Sequence, residues 1–144
     1  MAERTESSIV IAADPSAIMA VIADLASYPQ WSDGISTVEV LTRGEDGRPA
    51  RARFQLSGVV RDTYELDYTW EGDHSVHWTL VRGDMLRSMD GAYDLTPAAG
   101  GTSVQYRLSV DLRIPMIGHL KRKAEKVIIE TALKGLKQRV ESPG

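Results

Sequence analysis

Three rhythms of apolar and polar positions divide the chain. The first is a short β-branched run, residues 6–12 (ESSIVIA), which predicts a strand. The next segment, DPSAIMAVIADLASY, changes to helical spacing. Ile18, Val21, Ile22 and Leu25 fall on one face. Asp14 is suited to cap the free N–H groups of the first turn, and Pro15 fits the first helical position. Pro29 disfavours helical geometry at Tyr28 and is expected to end the helix there.

From Ile35 to Ile114 the period drops to two. STVEVLTR, ARARFQLS, DTYELDYTW, SVHWTLVR, MLRSMDGAYDLT and TSVQYRLSVDLRI alternate apolar and polar residues. They are joined by GEDGRP, a break near Ser57–Arg61, EGDH, GD and PAAGG. Consecutive strands with short connections predict an antiparallel meander. One parity carries Tyr64, Leu66, Tyr68 and Trp70, and the other carries Thr63, Glu65, Asp67 and Thr69. The last strand repeats this, with Val104, Tyr106, Leu108, Val110 and Leu112 against Gln105, Arg107, Ser109 and Asp111. The sheet therefore has one wet and one buried face. The third rhythm is a long C-terminal helix whose start region holds Pro115. Leu120, Ala124, Val127, Ile128 and Thr131 form its predicted apolar stripe, with Leu136 and Val140 near the continuation. This helix is the element able to cover the sheet.

Length and composition fit one globular domain over residues 1–144, with 42% hydrophobic and 26% charged residues. The chain has no cysteine, as suits a reducing cytoplasm. The charged N-terminus does not read as a signal peptide, and no run approaches the length of a membrane span. A net charge of -3 argues against generic nucleic-acid binding. The charge is uneven, because the C-terminal helix is basic and the remainder acidic. KRKAEK on that helix has three readings: a solvated face, a dock for an acidic partner such as an acyl carrier protein, or a contact with anionic lipid. Glu125, Glu130 and the lack of an evident exposed apolar stripe weigh against the lipid reading.

SSIVIAADPSAIMAVIADLASYPQW, GAYDLTPAAGGTSVQYRL and DLRIPMIGHLKRKAEKVIIETALKGLKQRV together resemble the START-like helix-grip superfamily. Within it the chain is similar to the bacterial polyketide cyclase/dehydrase and lipid-transport group. The resemblance implies an α+β helix-grip fold: a curved antiparallel sheet of about seven strands around a long C-terminal helix, with two short helices after the first strand. It also implies a cavity between sheet and helix, and members that bind lipids or polyketides or act as cyclases.

The inward parity is rich in amphipathic rings: Tyr64, Tyr68, Trp78, Tyr93 and Tyr106, joined by Phe54. Buried tyrosine hydroxyls need partners, so such a run points to a wet or ligand-filled space. Arg87 shares parity with Met89, Gly91 and Tyr93, Arg82 with Trp78, and Asp62 with Tyr64. A cavity arginine would fork onto a ligand carboxylate or phosphate. Each of these three lies near a strand end, where parity is least reliable and escape to the rim is the first reading. Gly91 marks either a kink or room for a ligand. Trp31, in a polar turn beside Gly34, either plugs the core against the C-terminal helix or walls the cavity. His74 and His77 point to opposite strand faces, and the chain lacks the patterns of a metal, phosphate-loop or dinucleotide site. No cofactor is expected.

The expectation is thus a binder of a hydrophobic or amphipathic small molecule, lipid, fatty acyl or polyketide-like. Its ligand would touch Trp31, Phe54, Tyr64, Tyr68, Trp78, Arg87, Met89, Tyr93, Tyr106 and Leu108 on the sheet side. Leu120, Ala124, Val127 and Thr131 would face it from the helix. A cyclase or aromatase using the same space, and a protein-interaction module with a filled core, are the alternatives.

Overall fold

The computed structural model describes residues 5–32, 34–57, 61–114 and 118–142. Strand β1 (Thr5–Ile11) is followed by helix α1 (Pro15–Ala23) and a six-residue 3-10 helix, α2 (Leu25–Gln30). Six strands come next: β2 (Ile35–Arg43), β3 (Pro49–Leu56), β4 (Asp62–Glu71), β5 (Ser75–Gly83), β6 (Leu86–Ala98) and β7 (Gly101–Leu112). The chain ends in helix α3 (Gly118–Glu141). The strands form one antiparallel sheet in the order β1-β7-β6-β5-β4-β3-β2, the meander expected from the period of two. This is the helix-grip fold. Pro115 and the middle of the 57–61 break lie outside the described residues.

Two local expectations are corrected. Asp14 occupies the cap position of α1, but its side chain makes no capping bond. The α-helix stops at Asp24, and Pro29 sits inside the 3-10 helix that follows it.

The period-two pattern places the rings as expected. Phe54 pairs with Tyr64, Tyr68 with Trp78, Tyr93 with Tyr106, and Gly91 lies between Trp78 and Leu108. The opposite face carries the charges. Arg51 forks onto Asp67, and Arg53 and Arg82 both reach Glu65. Hydrogen bonding from Arg82, then from Arg53, holds the Glu65 carboxyl below the usual range despite its burial under their stems.

Two bulges overturn two parity assignments. The ladder between β4 and β5 slips at Glu65/Leu66, so Arg82 faces Glu65 on the outer side. The ladder between β6 and β7 slips between Leu86 and Ser88, and Arg87 is exposed, close enough to lower the Asp111 carboxyl together with Lys121 and Ser88 against a desolvation penalty. An inserted residue reverses every later side chain on one strand, and simple alternation cannot see it. Asp62, the third candidate, turns its carboxylate to the backbone N–H groups of Asp84 and Leu86 and so ties down the β5–β6 turn.

Helix α3 packs chiefly on β1, β7 and α1. Its buried stripe is Glu125, Ile129, Leu133 and Leu136; of the predicted set, Leu136 is buried and Val140 packs on the core, whereas Leu120, Val127, Ile128 and Thr131 do not face it. Glu125 is fully buried, accepting from the Thr5 hydroxyl at 2.7 Å and the Val110 backbone N–H at 2.7 Å. Val110 lies past Thr5↔Leu108, the last β1–β7 pair among the described residues. The carboxylate gives this backbone N–H its acceptor. This anchor rotates the helix: Leu120 and Val127, expected to face the sheet, are exposed, and so is Ile128.

Candidate functional site

The inner face of β3–β7 is an aromatic surface. A row of rings runs from Trp31 to Tyr28 (4.9 Å between centroids), to Phe54 (6.4 Å), to Tyr68 (6.5 Å) and to Trp70 (5.6 Å). A branch leaves Tyr68 for Trp78 (5.8 Å), Tyr93 (5.5 Å) and Tyr106 (4.6 Å). The row ends in two clefts. One, of about 490 Å³, is lined by Gln30, Trp31, Thr131, Lys134, Gly135, Gln138 and Arg139. The other, of about 370 Å³, lies by the β2–β3 turn and includes Arg48, Pro49, Tyr68 and Trp70.

Glycines set two of these ring positions. A Cβ on Gly91 would overlap the Trp78 indole, so this glycine is the berth of the ring. A Cβ on Gly135 would lie 2.6 Å from the Trp31 carbonyl oxygen, so Gly135 lets Trp31 dock against α3. Trp31 is half-buried there, packed on the core with its indole N–H sealed from water and without a partner. Trp31 thus packs against the core and lines this cleft. Gly34 has φ +91°, the left-handed turn anticipated beside it.

All five tyrosines of the protein belong to this cluster. Tyr28 donates to the Ile22 carbonyl. The hydroxyls of Tyr64, Tyr68, Tyr93 and Tyr106 have no hydrogen-bond partner within the described residues. Yet none of them is among the sealed, unpaired polar atoms, which are Trp31 Nε1 and Arg107 Nε alone among the described residues. Each of the four hydroxyls therefore faces space that water can reach, although the Tyr64, Tyr93 and Tyr106 residues are buried. Burial pushes all five phenols above their ordinary pKa. Neighbouring phenols add to this: Tyr64, Tyr106 and Tyr93 act on Tyr68, and Tyr93 and Tyr64 act on Tyr106. The phenols stay protonated at neutral pH, so their hydroxyls act as hydrogen-bond donors and acceptors.

Of the expected contact residues, Phe54, Tyr64, Trp78, Tyr93, Tyr106 and Leu108 are buried in this core, with Tyr68, Met89 and Trp31 packed on it. Ala124 is half-buried and Thr131 lines the Trp31 cleft. Arg87, Leu120 and Val127 are exposed and not brought to the cluster. Sequence reasoning left out Tyr28 as a site residue because its helix was taken to end there. It also left out Glu125, for which one cue was available: a carboxylate in step with Ile129, Leu133 and Leu136. His77 faces Asp90 at 3.4 Å on the outer side, away from the rings. Among the described residues no group of three His, Asp or Glu side chains is placed to hold a metal, and no helix is long and apolar enough to cross a membrane.

Comparison with known proteins agrees with this architecture. A START superfamily protein from Mycobacterium smegmatis superposes with a TM-score of 0.90 at 23% identity, over 97% of this chain and 98% of that one. The Zhui aromatase/cyclase from Streptomyces sp. R1128 superposes with a TM-score of 0.78 at 13% identity, over 96% and 93%. At these identities the likeness is one of fold. No curated protein matches in sequence. The profile of the family described as polyketide cyclase / dehydrase and lipid transport matches residues 2–141. A curved sheet gripping a C-terminal helix and a match over nearly the whole chain lead to one conclusion: the chain belongs to the polyketide cyclase/dehydrase and lipid transport family.

Proposed function

We propose that the protein binds an apolar or amphipathic small molecule bearing oxygen atoms, lipid, fatty acyl or polyketide-like, against the aromatic inner face of its sheet. One observation carries this reading: four tyrosine hydroxyls with no partner among the described residues, on buried or half-buried rings, in reach of water. A dry core filled for stability alone would use phenylalanine at such positions, because an unpaired hydroxyl adds nothing to packing. The protein has one phenylalanine and five tyrosines. Burial of apolar ligand surface would drive binding at roughly 25 cal/mol per Å² before ordering costs. The hydroxyls would fix orientation by exchanging water for ligand oxygens. Phe54, Trp78, Met89 and Leu108 would supply apolar wall, with Trp31, Ala124 and Thr131 at the helix side.

A catalytic variant of this reading rests on the same hydroxyls. Neutral phenols can polarise a ligand carbonyl, which is the help an aldol cyclisation needs. Turnover of a poly-β-keto thioester, lost in one Tyr→Phe variant that still binds it, would establish that variant.

The test is to release and mass-analyse small molecules held by the natively purified protein. An apolar, oxygen-bearing species near one per chain is the expected result. An empty protein that also fails to bind an added neutral dihydroxyanthraquinone would overturn the proposal.

A further inference from the structure

Helix α3 leaves an aliphatic stripe in water that the fold does not use. Leu120, Val127 and Ile128 are 47%, 57% and 44% exposed, and Ile114, before the helix, is 60% exposed. Leu120 and Val127 are seven residues apart, two turns of helix, on one side. Lys123, Lys126 and Lys134 are exposed around this stripe and have no ion-pair or hydrogen-bond partner among the described residues. They differ from Lys121, tied to Asp111, and Lys137, tied to Glu141 and the Val10 carbonyl. Two carboxylates, Glu130 and Glu141, share the exposed surface, and Glu141 is already tied to Lys137. The helix holds seven Lys and Arg against three Glu, which leaves ten basic and seventeen acidic residues elsewhere in the chain.

We infer that the outer face of α3 docks on an anionic lipid bilayer. Exposed aliphatic side chains flanked by unpaired lysines are what an interfacial helix presents, the apolar groups entering the acyl boundary and the ammonium groups meeting phosphates. The charge asymmetry sets the orientation, since the acidic remainder of the molecule is repelled by the same surface. A second copy is disfavoured as occupant because two such faces carry like charge. From Leu120 to Lys134 the face spans about 21 Å, and the cleft holding Trp31 and Thr131 lies on the same helix. Docking would therefore leave the bilayer beside that cleft. The inference depends only on the helix surface and stands or falls independently of what the interior binds.

Flotation with phosphatidylcholine vesicles, with and without about a third phosphatidylglycerol, tests it. The protein is expected to float with the anionic vesicles at low salt, not with the neutral ones, and to be released as salt screens the charges. Replacing Lys123, Lys126 and Lys134 with Gln should weaken partition roughly a hundredfold, at about 1 kcal/mol for each lysine near the surface. Leu120→Ser with Val127→Ser should weaken it by about tenfold while leaving the lysines in place. These positions are exposed, so unchanged circular dichroism and an unchanged unfolding midpoint identify the variants as folded. No flotation with anionic vesicles, or flotation undiminished in either variant, would overturn the inference. So would lysine-dependent binding of an acidic carrier protein in the absence of vesicle binding.

Discussion

The tyrosines separate into two kinds by what their hydroxyls touch. Tyr28 gives its proton to the Ile22 carbonyl, so Tyr28→Phe removes a buried hydrogen bond. It should cost about 1 kcal/mol in denaturant unfolding. Tyr64→Phe and Tyr106→Phe remove hydroxyls that no atom of the described residues uses, and each should leave stability unchanged within about 0.5 kcal/mol. A loss well above that at Tyr64 or Tyr106 would mean the hydroxyl is a structural donor after all. Gly91 makes a different kind of contribution. A methyl group there cannot coexist with the Trp78 ring, and overpacking of this kind typically costs about 1–3 kcal/mol. Gly91→Ala should lower the unfolding midpoint and shift the tryptophan emission, whereas an unmoved emission spectrum would contradict the berth.

Helix α3 shows how one residue decides the phase of an element. Glu125 sits against β7 past its last described pair with β1, and it satisfies the Val110 N–H and the Thr5 hydroxyl at once. Glu125→Ala would leave both donors without an acceptor in a sealed place, and about 3 kcal/mol of stability should be lost. Glu125→Gln should recover part of it, because the amide oxygen can still accept. Equal losses in the two variants would show that packing, not the acceptor, matters there. The same residue explains what could be read from the sequence and what could not. Helix length, strand number and the inward ring parity were legible, because periods of 3.6 and 2 are local properties. The rotation of α3 was not, because it depends on an acceptor meeting a strand end 15 residues away. Parity alone put Arg82 and Arg87 on the inner face, and the rim reading is the one that holds, for a related reason: a bulge depends on both strands of a pair, and alternation within one strand carries no trace of it.

At the scale of the whole molecule, five buried phenols link stability to alkaline pH. Their pKa values are raised in the fold above the ordinary value of 10.0, first by burial. The preference of the fold for protonated phenol is fully present below about 10, where the unfolded chain is protonated too. It is lost as pH rises through the raised values, because the unfolded chain then gains by ionising. Stability should therefore hold through neutral pH and fall above about 10, by about 1.4 kcal/mol per pH unit for each phenol still protonated in the fold. Tyrosinate absorbance should appear together with unfolding. Five phenols titrating near 10 in an intact fold would contradict the burial of the cluster.

The aromatic inner face was visible in the sequence, but the state of its hydroxyls was not, since a partner or its absence is a property of the assembled core. That state is the central claim. The measurement that bears on it most directly is a tryptophan-quenching titration with a neutral dihydroxyanthraquinone. It compares the wild-type chain with a Tyr64→Phe/Tyr106→Phe variant of equal stability. Saturable binding that weakens in the variant, by roughly tenfold for two lost hydrogen bonds of ordinary strength, is the result this account requires. Binding of equal affinity in both proteins, or in neither, would contradict it.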